Sequence, residues 1–394
     1  MGAVLASPLY RGATIALFLS GLGMSAAAPQ IALFLVNDLH VSLTTAGLYY
    51  LTNITAPVVG YYIGRRSDRT GRRLTLFRLC ALAGFVGWLA ISLSTRAWMP
   101  FVINPVVLAF AGGAGSQLFA AIHDELKATR NPAGDGVISI VRMALTAGWV
   151  VGPVCGSILA ADVSLRAMLA ATACCTLAQV VPLGFMRTSP APAPPEAEAG
   201  AAAARPGRRA MMPLLAFTGL YVLVYAGEPI KYGYLPIYMH DVLHLPAGIS
   251  GAVIGIQPLI ELVLMPVAVI VARRVGMTRL MIVGAAFGIG ANLCFALTGN
   301  AAGMFAGQAF MGGVWGVFAA LGIIVAQRLL PGAVATASAV FMSSTAVASA
   351  LGGLSGSLGV GILGLPHVFF IPALYGTIAT IGLVVLNRSR HAVR

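Results

Sequence analysis

The sequence predicts an all-α membrane protein of about twelve transmembrane helices, arranged as two six-helix repeats. Three observations predict it. Of 394 residues, 59% are hydrophobic and 9% charged, with a mean hydropathy of +0.91, which is more apolar surface than a water-soluble globule can bury. The apolar residues fall in long unbroken runs, whereas a β-barrel would show short alternating segments. A segment rich in Pro and Ala at 189–210, including Ala191-Pro192-Ala193-Pro194-Pro195-Glu196, divides the chain into two stretches of similar length.

Between charged or Pro- and Gly-marked breaks, spans are expected near 12–36, 44–64, 74–94, 100–123, 137–160 and 166–186 in the first half. In the second they fall near 213–235, 249–271, 280–298, 302–327, 335–358 and 366–387. The expected organisation is an N-terminal bundle over 1–188, a cytoplasmic linker over 189–210 and a C-terminal bundle over 211–394. The net charge of +13 would suggest nucleic acid if it were clustered on a soluble face. Instead, with the amino terminus inside, nearly every base falls on a cytoplasmic end and only Arg96 and Arg166 fall outside. This positive-inside bias places both termini in the cytoplasm, makes lipid the partner of the basic charge and leaves no role for nucleic acid.

Cys80, Cys155, Cys174, Cys175 and Cys294 lie inside expected spans without metal-ligand spacing to a His, so neither a disulfide framework nor a metal site is expected. Ser25-Ala26-Ala27-Ala28 mimics a signal-peptidase site, but Pro29 follows directly and further spans come after, so the first helix is expected to be retained.

Ionisable groups inside a membrane cost roughly 2.5 to 3.5 kcal/mol each at a helix centre, so those present are functional candidates. Arg142 lies in the fifth span, with Asp124 or Glu125 as its expected partner. In the seventh span, Glu228 and Lys231 stand three residues apart and can face one another, as a local ion pair or as substrate contacts. They belong to Gly227-Glu228-Pro229-Ile230-Lys231-Tyr232-Gly233-Tyr234-Leu235-Pro236, which has the composition of a broken, gate-like helix. Tyr225, Tyr232 and Tyr234 add hydroxyl-bearing rings suited to a sugar or a planar drug. Glu261, in the eighth span, lies about 16 Å deep at 1.5 Å per residue among apolar neighbours, which suits a group that exchanges protons or binds substrate. Gln30, Asn53 and Gln117 are further substrate-cavity candidates, although an intramembrane amide can equally bridge helices.

Two motifs carry more specific information. Gly64-Arg65-Arg66-Ser67-Asp68-Arg69-Thr70-Gly71-Arg72-Arg73 is the densest charge cluster in the chain and lies between two spans. An acid there can pair with arginines and with a helix amino terminus through bonds weak enough to break in a cycle. Gly148-Trp149-Val150-Val151-Gly152-Pro153-Val154-Cys155-Gly156 sets small residues four apart, which lets helix backbones approach, around a proline. A weaker basic loop, Arg273 to Arg279, sits in the second half at the same relative place as the first loop. Gly352, Gly353, Gly356 and Gly359 form a second packing stripe.

The Gly64 to Arg73 loop resembles the signature between helices two and three of the major facilitator superfamily, and the Gly148 to Gly156 segment resembles its antiporter motif, with Ser157 where the pattern has another glycine. The resemblance implies a cytoplasmic latch at Asp68, Arg69, Arg72 and Arg73, and two parallel repeats with a substrate site between them. Ala28 to Leu35, Gly47 to Asn53, Gln117 to Ala120, Arg142 with the fifth-span motif, and Glu261 with Pro266 resemble the bacterial sugar efflux transporter family. That family implies proton-coupled export of sugars from a bacterial inner membrane. Where its members carry an acid late in the seventh span, this chain has Tyr234, with Glu228 six residues earlier.

The expected function is therefore secondary transport driven by a proton gradient, with no bound cofactor; no Walker-type loop supports direct ATP coupling. The expected partners are a small-molecule substrate, protons and lipid, and the expected state is a monomer. A multidrug antiporter, with Met265, Phe310, Trp315 and Phe318 lining an apolar pocket, is the alternative. No nucleophile-elbow or His-Glu-x-x-His pattern points to an enzyme.

Overall fold

A computed structural model of the chain describes residues 7–129, 134–184, 186 and 208–391. Among these residues the regular structure is entirely helical. Eleven helical segments are long and apolar enough to cross a membrane, at Pro8–Asp38, Arg73–Ser92, Trp98–Thr129, Gly136–Asp162, Leu165–Leu183, Ala210–Val242, Ala247–Val275, Met277–Leu297, Ala301–Leu329, Thr336–Leu363 and His367–Arg388. The expected second span is helical too, but in three pieces: α2 (Leu43–Leu48), a 3-10 stretch (Tyr49–Thr55) and α3 (Ala56–Thr70). Pro57 accounts for the irregularity, because it lacks the N–H that would bond the Asn53 carbonyl and its ring crowds that carbonyl.

The chain forms two compact units, Met1–Val41 with Thr52–Pro195, and Ser42–Leu51 with Glu196–Arg394. The expected linker lies almost wholly outside the described residues. The decapeptide Ser42–Leu51, expected in the N-terminal bundle, clusters with the second unit.

In the first unit, α1 (Pro8–Leu33) packs on α8 (Gly134–Asp162). A Cβ at Gly148 would lie 2.5 Å from the Phe18 carbonyl oxygen, and one at Gly156 would lie 2.9 Å from the Ala26 Cα. Only hydrogen fits there, so the glycines let two backbones touch. The Ser25 hydroxyl donates to the Gly148 carbonyl across this contact at 3.1 Å. Between α1 and α8 run α4 (Arg73–Ser92), the fourth span, built of α5 (Trp98–Ile103), a π-helical stretch (Asn104–Leu108), α6 (Ala109–Ala111) and α7 (Gly113–Thr129), and then α9 (Leu165–Ala178) follows. Two arginines tie span ends. Arg166 bonds the carbonyls of Ser92 and Ser94 at 2.9 and 2.8 Å and pairs with Asp38 at 3.2 Å, while Arg78 bonds the carbonyls of Gly184 and Met186.

The second unit holds α10 (Arg208–Tyr225), α11 (Gly227–Ile237), α12 (Ala247–Val275), α13 (Met277–Leu297), α14 (Ala301–Leu329), α15 (Val334–Leu363) and α16 (Phe370–His391). Its core includes Phe217, Phe295, Phe318 and Phe369, each at most 1% exposed. The stripe Gly352, Gly353 and Gly356 of α15 meets Ala226, the Gly47 to Leu51 backbone, and Ile230 with Tyr234. This same stripe holds the decapeptide through Ser357 donating to the Thr44 carbonyl and Ser349 donating to the Tyr50 carbonyl.

Gly152→Leu is expected to lower stability by about 2 to 3 kcal/mol, because its Cβ would overlap the Leu22 carbonyl and Ser25. Gly60→Ala, in α3 with nothing within 4 Å of its Cβ, is expected to fall within about 1 kcal/mol of wild type on the stabilising side. Thermal unfolding of both purified variants in detergent checks the contrast.

Candidate functional site

The seventh span breaks between α10 and α11. Pro229 explains the position, since its missing N–H and its ring both fall against the carbonyl of Tyr225, where α10 ends. Immediately after the break stand Glu228 and Lys231. Lys231 has no solvent exposure, and its ammonium donates to both Glu228 carboxylate oxygens at 2.8 Å and to the Gln257 side-chain oxygen. The Trp315 indole donates to Glu228 Oε1 at 2.7 Å. The expected local ion pair is thus present, and it recruits two groups from other helices.

Glu261 and Trp315 occupy the centres of α12 and α14, so the cluster sits at mid-span. Gln257 lies one turn before Glu261 on the same face of α12. Glu261 is half-buried and feels the charges of both Glu228 and Lys231. Aromatic rings close around these groups. The Tyr232 ring centre is 4.4 Å from the Lys231 ammonium, a cation–π contact, and Tyr225 meets Trp315 edge-on at 5.1 Å. Lys231 is thus ion-paired with Glu228, and Glu261 lies within electrostatic range of both. With both acids ionised the group carries one net negative charge, and one bound proton makes it neutral.

Tyr234 stands apart from this cluster. It is 1% exposed, and its hydroxyl donates to the Leu43 carbonyl at 3.3 Å, which fastens the decapeptide. Of the apolar residues proposed for a drug pocket, Trp315 is engaged by Glu228 and Phe318 is buried in the core.

At the Gly64 to Arg73 loop, α3 ends at Thr70 and Gly71 takes the left-handed conformation (φ 63°) that glycine adopts without strain, donating back to the Ser67 carbonyl at 2.9 Å. The turn brings Arg73, the first residue of α4, under α3. Its guanidinium bonds Asp68 at 2.6 Å, Asp124 of α7 at 3.0 Å and the buried Ser67 hydroxyl at 2.7 Å. Ser67 in turn donates to Gln117. Gln117, expected in a substrate cavity, therefore belongs to the hydrogen-bonded cluster of this loop. The expected pairing of Arg142 with Asp124 or Glu125 is corrected: Asp124 is held by Arg73, Glu125 accepts from Ser7, and Arg142 is exposed, with no ion pair among the described residues. Arg69 and Arg72 are exposed as well, and Gly64 has open space around it. In the second unit Gly276 (φ 94°) makes the corresponding turn between α12 and α13, without an acid.

Along the α1–α8 contact, Gln30 donates to Ser157 at 2.8 Å, both buried. Gln30 is thus a helix bridge, and the hydroxyl that departs from the glycine pattern at 157 is what it bonds. Asn53 lies elsewhere, on a cavity of about 330 Å³ inside the first unit. There Asn104 donates to Thr52 at 2.6 Å and to Asn53 at 3.0 Å.

Gln257 and Asn104 are the polar groups that sequence reasoning passed over. Each had a signal: Gln257 is one helical turn from Glu261, and Asn104 is a lone amide beside Pro105 in an apolar run.

Residues 13–315 match the family description Major Facilitator Superfamily. The chain is 23% identical over 371 residues to sugar efflux transporter B of Salmonella typhimurium, covering 93% of this chain and 92% of that protein. It is 25% identical over 350 residues to sugar efflux transporter A of Escherichia coli, covering 88% of each. The crystal structure of the nucleoside transporter NupG superposes with a TM-score of 0.79 at 15% identity, covering 96% of this chain and 98% of that one.

Lys231→Met is expected to cost about 3 to 5 kcal/mol of stability, since it leaves the Glu228 charge buried without its cation. Adding Glu228→Gln to Lys231→Met should recover much of that loss. A double-mutant cycle by thermal unfolding measures the coupling, and additive losses would show that the pair is not the source.

Proposed function

The chain belongs to the Major Facilitator Superfamily, and on that premise we propose that it is a proton-coupled secondary transporter that exports sugars or similar small polar molecules by alternating access. It is a multi-pass membrane protein, and its relatives are transporters rather than enzymes. The coupling reading is supported by a second carboxylate, Glu261, within electrostatic range of the buried Glu228–Lys231 ion pair. Charge balance favours one proton on the group when the site is shielded from water, and release of that proton when it opens to a side of low proton concentration. Glu261 is the proton carrier in this scheme, because Glu228 is held by three donor contacts from Lys231 and Trp315. A neutral, hydroxylated cargo is supported by the sugar efflux transporters to which the chain is similar.

The remaining parts follow from this reading. The energy source is the proton gradient, with no bound cofactor. The chain works as a monomer in the bacterial inner membrane with both termini in the cytoplasm. The Asp68–Arg73–Asp124 set is a latch on the cytoplasmic side, made of partly exposed bonds weak enough to form and break each cycle.

Efflux from vesicles under an imposed pH gradient tests the proposal. Wild type should export sugars, and an exclusive response to lipophilic cations would favour multidrug antiport instead. Glu261→Gln is expected to abolish pH-driven efflux while the protein stays folded; undiminished proton-driven turnover would remove Glu261 from coupling. Asp68→Asn should slow every substrate alike, and a change in substrate preference alone would argue against the latch.

A further inference from the structure

An ammonium carries three N–H donors, and those of Lys231 are matched one for one by acceptors. Two go to the Glu228 carboxylate oxygens, each at 2.8 Å, and the third goes to the side-chain oxygen of Gln257. None remains for Glu261, although Glu261 follows Gln257 by four residues on the same face of α12, a rise of about 6 Å. Both ends of the ion pair are pinned from other helices. Trp315 of α14 donates to Glu228 Oε1 at 2.7 Å, and Gln257 of α12, 6% exposed, accepts from the ammonium.

Packing sets the height of Gln257 against Trp315. A Cβ at Gly312 of α14 would lie 3.0 Å from the Gln257 carbonyl oxygen and 2.6 Å from the Ile260 Cβ, and one at Gly316 would lie 2.6 Å from the Leu264 Cβ. Two glycines one turn apart thus seat α14 directly on α12, with Trp315 between them in sequence. Few groups can change charge here. Glu228, Glu261 and Lys231 act on one another electrostatically. The phenols of Tyr221 and Tyr225 on α10, Tyr232 on α11 and Tyr50 on the decapeptide stand close to them and titrate only near pH 10 or above, on the order of three units from neutrality. The other packed helices carry titratable groups only toward their ends: Arg279 and Cys294 on α13, Arg328 on α14 and, on α16, Tyr375 and the residues from Arg388 onward; α15 has none.

We propose that Gln257 is a positioning residue for proton exchange at this site: by accepting the third N–H it holds Lys231 on Glu228 and off Glu261, so that Glu261 stays the carboxylate without a cation. A buried N–H with no acceptor is costly, and Glu261, one turn further along α12, is the acceptor that takes it once the Gln257 oxygen is gone. A cation moved onto Glu261 favours its ionised form. The role in proton exchange rests on the proton-coupled reading above; the matching of three donors to three acceptors stands without it.

Difference infrared spectroscopy of the full chain in detergent, titrated with pH, follows the carboxylic-acid C=O band, and loss of the band in Glu261→Gln assigns it to Glu261. Gln257→Leu should move the midpoint of that band to lower pH by about one unit or more, because the freed N–H pairs with Glu261. Gln257→Glu keeps an oxygen at the same reach and should leave the midpoint unchanged or raise it. A site that was merely loosened would move both variants in the same direction. An unmoved midpoint in Gln257→Leu, a fall in both variants, or no Glu261-dependent band in wild type overturns the role. If Gln257→Leu loses cooperative unfolding, Gln257→Glu decides: a fall in its midpoint overturns the role, and an unchanged or raised one supports it. Efflux from vesicles separates this role from the proposed function. pH-driven efflux by wild type with an unmoved band in Gln257→Leu rejects the positioning role and leaves coupling standing, whereas a moved band without pH-driven efflux in wild type keeps the role and rejects coupling.

Discussion

A lysine with no solvent exposure at the middle of a membrane-spanning unit must be neutralised where it stands, and the second unit is built around that requirement. Burying either ion alone would cost several kcal/mol even after relaxation, on the order of the whole stability margin of a domain. The mutual attraction of Lys231 and Glu228 offsets this only with good geometry and with the remaining donors and acceptors satisfied. Both conditions are met through other helices: Gln257 from α12 accepts a hydrogen bond from the ammonium and Trp315 from α14 donates one from its indole N–H to the carboxylate. Three helices are thus held in register by one ion pair. Among the described residues the third ionisable group, Glu261, makes no ion pair, and it lies within electrostatic range of the other two.

The polar clusters of both units sit beside prolines, and hydrocarbon explains the association. A continuous helix satisfies its own backbone, so a proline that removes one N–H leaves a carbonyl that lipid cannot serve. In the fourth span the backbone widens around Pro105, whose carbonyl accepts from Thr55 at 3.2 Å, and Thr52, Asn53 and Asn104 gather next to it. In the seventh span the break before Pro229 turns Glu228 and Lys231 inward together. Where no proline interrupts contact between helices, as along α1 and α8 up to Gly152, glycine does the opposite work and brings backbones close enough to exclude side chains altogether.

Much of this was legible in the sequence. Apolar runs of about 20 residues locate the spans, since length and hydropathy are local properties, and the Gly71 turn and the glycines of α8 do in the structure what their spacing implies. The Glu228–Lys231 pair is legible for the same reason: three residues on one helix need no knowledge of other helices. What could not be read is partner choice across helices. Gln30 and Gln117 look alike as intramembrane amides, yet one bridges to Ser157 and the other joins the Arg73 cluster through Ser67, because facing positions depend on how helices rotate against each other. Arg142 is misassigned for the same cause, as Asp124 lies nearer to Arg73. The break in the second span escaped notice because hydropathy windows average over Pro57.

The two units end up with polar interiors of opposite kind, and the difference bears on how work would be divided if transport is proton-coupled as proposed. The cluster in the second unit is built on an ion pair, Glu228 with Lys231. Among the described residues, the cavity in the first unit is lined by no charged side chain. A carrier that recognised its cargo with the same carboxylate that moves the proton would have affinity and protonation tied together by direct competition. In the proton-coupled reading proposed above, titration at Glu261 with cargo held elsewhere would let the two ligands act on each other only through the conformations they favour. Linkage through conformation is reciprocal, so in that reading a proton alters cargo affinity only as far as cargo alters proton affinity.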